Sequence, residues 1–199
     1  MSQAIIIGLT GGIGCGKSAV GKALEALGLA RLDTDQVARE VVAAGTPGLA
    51  EIVSRFGPTI LSSDGTLDRA AMGRMVFSEP EKKSSLEQIL HPLIRSRVSD
   101  FVECCRAEHQ HAVVEVPLLY EKQRQDVFDT IWVVSTTPEL QLARLRSRNG
   151  WSHEEVKARI SSQMPLAEKV ARADTVIENT GTLEDLQERV REAWSQSLR

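Results

Sequence analysis

The chain has 199 residues, 42% of them hydrophobic, and its 24 basic against 27 acidic side chains leave a formal charge of −3. That length supports one compact domain with room for an attached lobe, and the slight acidity excludes any global attraction to nucleic acid or anionic membrane, so an anion site has to be built locally. No apolar run approaches the roughly 20 residues a bilayer span requires, and the N-terminus lacks a basic segment followed by a long apolar one, which predicts a cytoplasmic protein without a membrane partner.

The first apolar run, Ala4 to Leu9, reads as a strand. Directly after it, Gly11-Gly12-Ile13-Gly14-Cys15-Gly16-Lys17-Ser18 matches the phosphate-loop pattern G-x-x-x-x-G-K-[ST]. Glycines let successive backbone N–H groups curl around nucleotide phosphates, and the following helix offers its positive N-terminal end to the same anion. Residues 11–18 with Ala19 are therefore the expected ATP site. Lys17 reaches the β- and γ-phosphates and the Ser18 hydroxyl ligates Mg²⁺. Cys15 inside the loop is either a thiol whose pKa is lowered by the helix end or a small residue that fits. With adjacent Cys104 and Cys105 it makes three cysteines, which form neither a disulfide framework nor a paired zinc site.

The helix from about Lys17 to Leu27 stops at Gly28, and a second short strand, Leu29 to Leu32, ends at Asp33-Thr34-Asp35. In an extended segment that spacing points both carboxylates to one side, with Asp33 a candidate general base and Asp35 a group that orients substrate or Mg²⁺ through water. Residues 36–110 show almost no strand character and read as a helical lobe. Within it Thr46-Pro47 and Asp68 look like helix starts, Ser63-Asp64-Gly65 is turn chemistry, and His91-Pro92 predicts a kink or break in an amphipathic helix.

Further strands follow at His111 to Leu119, at Thr130 to Val134 and at Asp174 to Glu178. Pro117 marks the end of the third strand and sends Leu118 into the cleft, with Glu115 and Glu121 flanking. The helix opening at Thr137-Pro138 carries Arg144 and Arg148 on one face, and with Asn149-Gly150 it suggests a lid over residues 139–165 that brings positive charge to the transferring phosphoryl group. Capping boxes begin helices at Ser152 and Thr182. Asn179, after the last strand, either bonds a base or forms a turn.

Alternating strands and helices predict an α/β fold of three layers, α/β/α, on a parallel sheet of about five strands. No Asn-Lys-x-Asp guanine-reading motif is present, so a GTP switch is excluded. A helical acceptor lobe and an arginine lid fit a kinase of a small metabolite.

The phosphate loop, Asp33-Thr34-Asp35 with Ala38-Arg39-Glu40-Val41-Val42, His91-Pro92-Leu93-Ile94, Val116-Pro117-Leu118-Leu119-Tyr120-Glu121 and Ala173-Asp174-Thr175-Val176-Ile177-Glu178-Asn179 occur in that order. Together they resemble the dephospho-coenzyme A kinases over nearly the whole chain. The resemblance implies a P-loop kinase fold and ATP-dependent phosphorylation of the ribose 3′-hydroxyl of dephospho-coenzyme A, the last step of coenzyme A synthesis, by a monomer or weak homo-oligomer. It implies Asp33 as base, with Asp35, Arg39, His91, Pro92 and Leu118 on the acceptor side. Thr34 and Cys15 depart from the smaller residues common at those positions.

Overall fold

The computed structural model describes residues 3–123 and 125–198. In chain order it contains β1 (Ile6–Gly11), α1 (Lys17–Ala26), β2 (Ala30–Asp33), α2 (Thr34–Glu40), α3 (Pro47–Phe56), α4 (Arg69–Ser78) and α5 (Pro80–Ala107). Then come β3 (Ala112–Glu115), β4 (Thr130–Ser135), α6 (Pro138–Asn149), α7 (His153–Ser161), α8 (Leu166–Ala171), β5 (Thr175–Glu178) and α9 (Leu183–Ser197).

The five strands pair in parallel in the order β2-β3-β1-β4-β5. A parallel sheet is covered on both faces, so its central strands are apolar on both. β1 is buried along its whole length, and side chains alternate between two cores. Ile7, Leu9, Trp132 and Val134 pack with Val20 and Leu24 of α1 and with Leu186, Val190 and Trp194 of α9. Ile131 and Val133 face the other way, into Leu119 and Tyr120 with Met164, Leu166 and Val170 around them.

The chain divides into two compact units, one of residues 1–33 and 102–199 and one of residues 34–101. The second has its own core of Val42, Ile52, Ile60, Met72 and Ile89, and it begins and ends earlier than the 36–110 lobe expected from sequence because the last turns of α5 belong with the sheet.

Helix starts fall where local chemistry placed them. Thr46, Asp68 and Thr137 accept from the N–H groups of Leu49, of Ala70 and Ala71, and of Leu140, and Ser152 and Thr182 form complete capping boxes. Of the kink or break expected at His91-Pro92, the break is absent, since α5 runs as one 28-residue helix with Pro92 inside it. Proline deletes a single N–H and costs about 3 kcal/mol, whereas Ile89 before it and Val98 and Val102 after it are all buried. The burial on either side outweighs the lost hydrogen bond. Asp33 closes β2 but Asp35 already lies in the first turn of α2, so the shared extended face expected for the two carboxylates does not form.

Candidate active site

The phosphate loop leaves β1, the middle strand, and Gly16 caps α1 with φ 94°, ψ 28°. Gly14 has φ 80°, and a Cβ there would also meet Leu145 Cγ at 2.8 Å. Both positions thus require glycine for backbone reasons, and Gly14 for space as well. Lys17 Nζ folds back over the loop and donates to the carbonyls of Gly11 and Gly12 at 3.2 and 3.1 Å.

Ser18 Oγ donates to Glu115 Oε2 at 3.1 Å, while Arg31 Nε donates to Glu115 Oε1 at 2.7 Å. Glu115 is only 2% exposed and ends β3 level with Leu9 of β1 and Asp33 of β2. In the sequence Glu115 stands out only as a flank of Pro117. Its signal was present: three apolar strand residues, Ala112-Val113-Val114, followed by an acid that the sheet then buries beside the loop. A carboxylate ending the strand next to a phosphate loop is the arrangement that orients Mg²⁺ in such folds.

The loop is also held from behind. Gln141 Nε2 donates to the Ile13 carbonyl at 2.6 Å and Gln163 Oε1 accepts from the Ile13 N–H at 2.9 Å. Gln141 and Leu145 are buried, so the first turns of α6 are packed beneath the loop rather than forming a free lid. Both glutamines are polar and leave no apolar periodicity, which is why the sequence did not reveal this buttress. Arg148 lies on the exposed last turn, where its Nε donates to Asn149 Oδ1 at 3.0 Å. Arg144 sits on the inner side of α6 and donates to Thr136 Oγ1 at 3.4 Å and to Asn179 Oδ1 at 3.2 Å. Asn179, expected to meet a base or make a turn, is 7% exposed and spends its side-chain amide within the protein, donating to the Cys15 carbonyl at 2.8 Å.

Cys15 is fully buried, and that burial pushes its thiol up, with the Lys17 charge offsetting only part. The lowered-pKa alternative therefore does not apply. Beyond β3, the Pro117 carbonyl accepts from Thr10 Oγ1 at 3.3 Å and from Lys169 Nζ at 3.1 Å. Lys169, 0% exposed, is also ion-paired to Glu121 at 2.8 Å. This clamp leaves Leu118 37% exposed between the clamped Pro117 and the buried Leu119 and Tyr120. In the second unit, Asp35 and Arg39 are exposed four residues apart on α2, and His91 and Pro92 lie mid-way along α5.

A glycine-rich loop between the central strand of a parallel 2-3-1-4-5 sheet and its helix, with a lysine, a serine–carboxylate pair and an inward arginine around it, defines a P-loop kinase. Within that class the dephospho-CoA kinase family model matches residues 5–185. A dephospho-CoA kinase of Thermosynechococcus vestitus is 43% identical over 98% of this chain and 96% of its own. The crystal structure of TT1252 from Thermus thermophilus superposes with a TM-score of 0.84 at 39% identity, covering 100% of both chains. The dephospho-CoA kinase from Campylobacter jejuni superposes at 0.74 with 29% identity over 96% of each. The chain belongs to the dephospho-CoA kinase family.

Proposed function

We propose that the chain transfers the γ-phosphoryl group of ATP to the ribose 3′-hydroxyl of dephospho-coenzyme A, with Asp33 accepting the hydroxyl proton. The supporting observation is the register that sets Asp33 level with Glu115, and Glu115 with Leu9, at the sheet edge from which the phosphate loop emerges. Loop residues 11–19 hold the ATP phosphates through their N–H groups, with Arg148 completing the ATP side. For Lys17, leaving the Gly11 and Gly12 carbonyls for phosphate oxygens exchanges neutral acceptors for charged ones, which strengthens each hydrogen bond. Arg144 adds charge where the transferring group becomes metaphosphate-like.

Ser18 Oγ and the Glu115 carboxylate are hard oxygen donors that suit Mg²⁺, which keeps several waters and bridges phosphates rather than filling a protein cage. When bound, Mg²⁺ supplies charge neutralisation of the β- and γ-phosphates. Asp35, Arg39, His91, Pro92 and Leu118 hold and orient the acceptor. Three free cysteines fit a reducing compartment such as the cytoplasm, and among the described residues no helix is long and apolar enough to cross a membrane.

The test is ATP consumption against a panel of hydroxyl acceptors that includes dephospho-coenzyme A. Turnover of another acceptor with none on dephospho-coenzyme A overturns the reading. Asp33→Asn is expected to lower kcat about 10²- to 10⁴-fold while ATP still binds. A variant with normal turnover would remove the base.

A further inference from the structure

Asn179 follows β5, and its backbone stays in the sheet, with its N–H donating to the Ser135 carbonyl at 2.8 Å and its own carbonyl accepting from Thr136 Oγ1 at 2.8 Å. The backbone thus fixes where the side chain starts. That side chain reaches two functional parts at once: Nδ2 to the carbonyl of Cys15 in the phosphate loop, and Oδ1 to the guanidinium of Arg144. The amide orientation is dictated by the partners, because a flipped amide would set oxygen against oxygen at Cys15 and N–H against N–H at Arg144. A Cβ on Gly16 would collide with Asn179 Nδ2, so the last glycine of the loop is shaped around this contact as well as around its positive φ.

Among the described residues both hydrogen-bond partners of Arg144, Asn179 and Thr136, are neutral. Neutral acceptors hold a guanidinium in place without neutralising it, and its stronger hydrogen bonds remain available to an anion. We propose that Asn179 is a positioning residue that ties Arg144 to the phosphate loop and sets the guanidinium where it meets the transferring phosphoryl group, rather than a residue that reads the base. The inference rests on the role of Arg144 in phosphoryl transfer given above.

A mutant cycle in kcat tests it. Arg144→Ala is expected to lose about 10²- to 10³-fold, the usual cost of one donor at a developing charge. Asn179→Ala is expected to lose about tenfold in kcat, with KM for ATP within about threefold and the preference for ATP over GTP unchanged. In the double variant the Asn179 effect on kcat disappears, and the rate matches Arg144→Ala within about twofold. Multiplying losses would show that Asn179 acts independently of the arginine and overturn the inference, and a shift toward GTP would make it a base contact instead. Full activity in Arg144→Ala alone would overturn the arginine's role and the coupling with it, whereas a damaged Arg144→Ala with an additive Asn179→Ala overturns only the coupling. Thr136→Val removes the other acceptor of Arg144 together with the hydroxyl that donates to the Asn179 carbonyl, so it loosens the same unit, and it should show the same non-additivity with Arg144→Ala should Asn179→Ala fold poorly.

Discussion

The role proposed for Lys17 in phosphoryl transfer is separable by experiment from any contribution to the fold. Two of its hydrogen bonds go to carbonyls of the loop it serves. Lys17→Ala is therefore expected to abolish transfer, by at least about 10³-fold, because the phosphoryl oxygens lose their point charge. Without nucleotide the protein should stay folded with its thermal midpoint lowered by no more than a few degrees, since an intramolecular hydrogen bond is worth about 1 kcal/mol net and about 1 kcal/mol moves the midpoint of a chain of this size by roughly 2–4 °C. A collapsed midpoint would mean that the lysine holds the loop rather than the phosphate. Residues of this kind are legible in a sequence, since a glycine-lysine-serine spacing states its own chemistry. Glu115 is legible only in hindsight: one acid after Ala112-Val113-Val114 becomes meaningful when β3 lies beside β1 and the acid meets Ser18.

At the scale of elements, what was local could be read and what was tertiary could not. The caps at Thr46, Asp68, Ser152 and Thr182 depend on three or four neighbouring residues, and each forms. The continuity of α5 through Pro92 and the packing of α6 beneath the loop depend on distant partners. The clamp made by α8 is of the second type and has a measurable consequence. Burial alone would raise the Glu121 carboxyl, but the hydrogen bond from Lys169, joined by the Met164 N–H, outweighs it and holds the group below the usual carboxylate range. A carboxyl depressed in the folded state contributes stability that is complete above its unfolded value of about 4.3 and is lost as pH falls through the lower folded value. Glu121→Gln leaves the fully buried Lys169 without its counter-charge and should cost about 3–5 kcal/mol at neutral pH. Thermal midpoints of the two proteins should converge as pH drops from 6 toward 3, because the parent then protonates the same carboxyl. A gap that stays constant over that range would show that Glu121 contributes shape rather than charge.

For the whole molecule, the sheet unit and the unit of residues 34–101 each close around a core of their own, Ile7, Leu9, Trp132 and Val134 in one and Val42, Ile52, Ile60 and Met72 in the other. Two cores allow local opening to be read separately by amide hydrogen exchange. The proposed chemistry assigns the phosphate loop to the first unit, and Asp35, Arg39 and His91 to the second. Ligand that binds only the closed form of a unit stabilises it by about 2.7 kcal/mol at a hundredfold excess over Kd, which slows exchange through that opening about a hundredfold. Magnesium-ATP alone should therefore protect amides of residues 13–19 and of α1, where N–H groups face phosphate and helical hydrogen bonds stiffen behind them. Dephospho-coenzyme A alone should protect amides of α2 and of α5 around His91. Protection by the acceptor confined to residues 1–33 and 102–198 would remove Asp35, Arg39 and His91 from acceptor recognition while leaving the nucleotide site intact. Protection of α2 and α5 by magnesium-ATP without acceptor would mean that nucleotide, not acceptor, orders those helices.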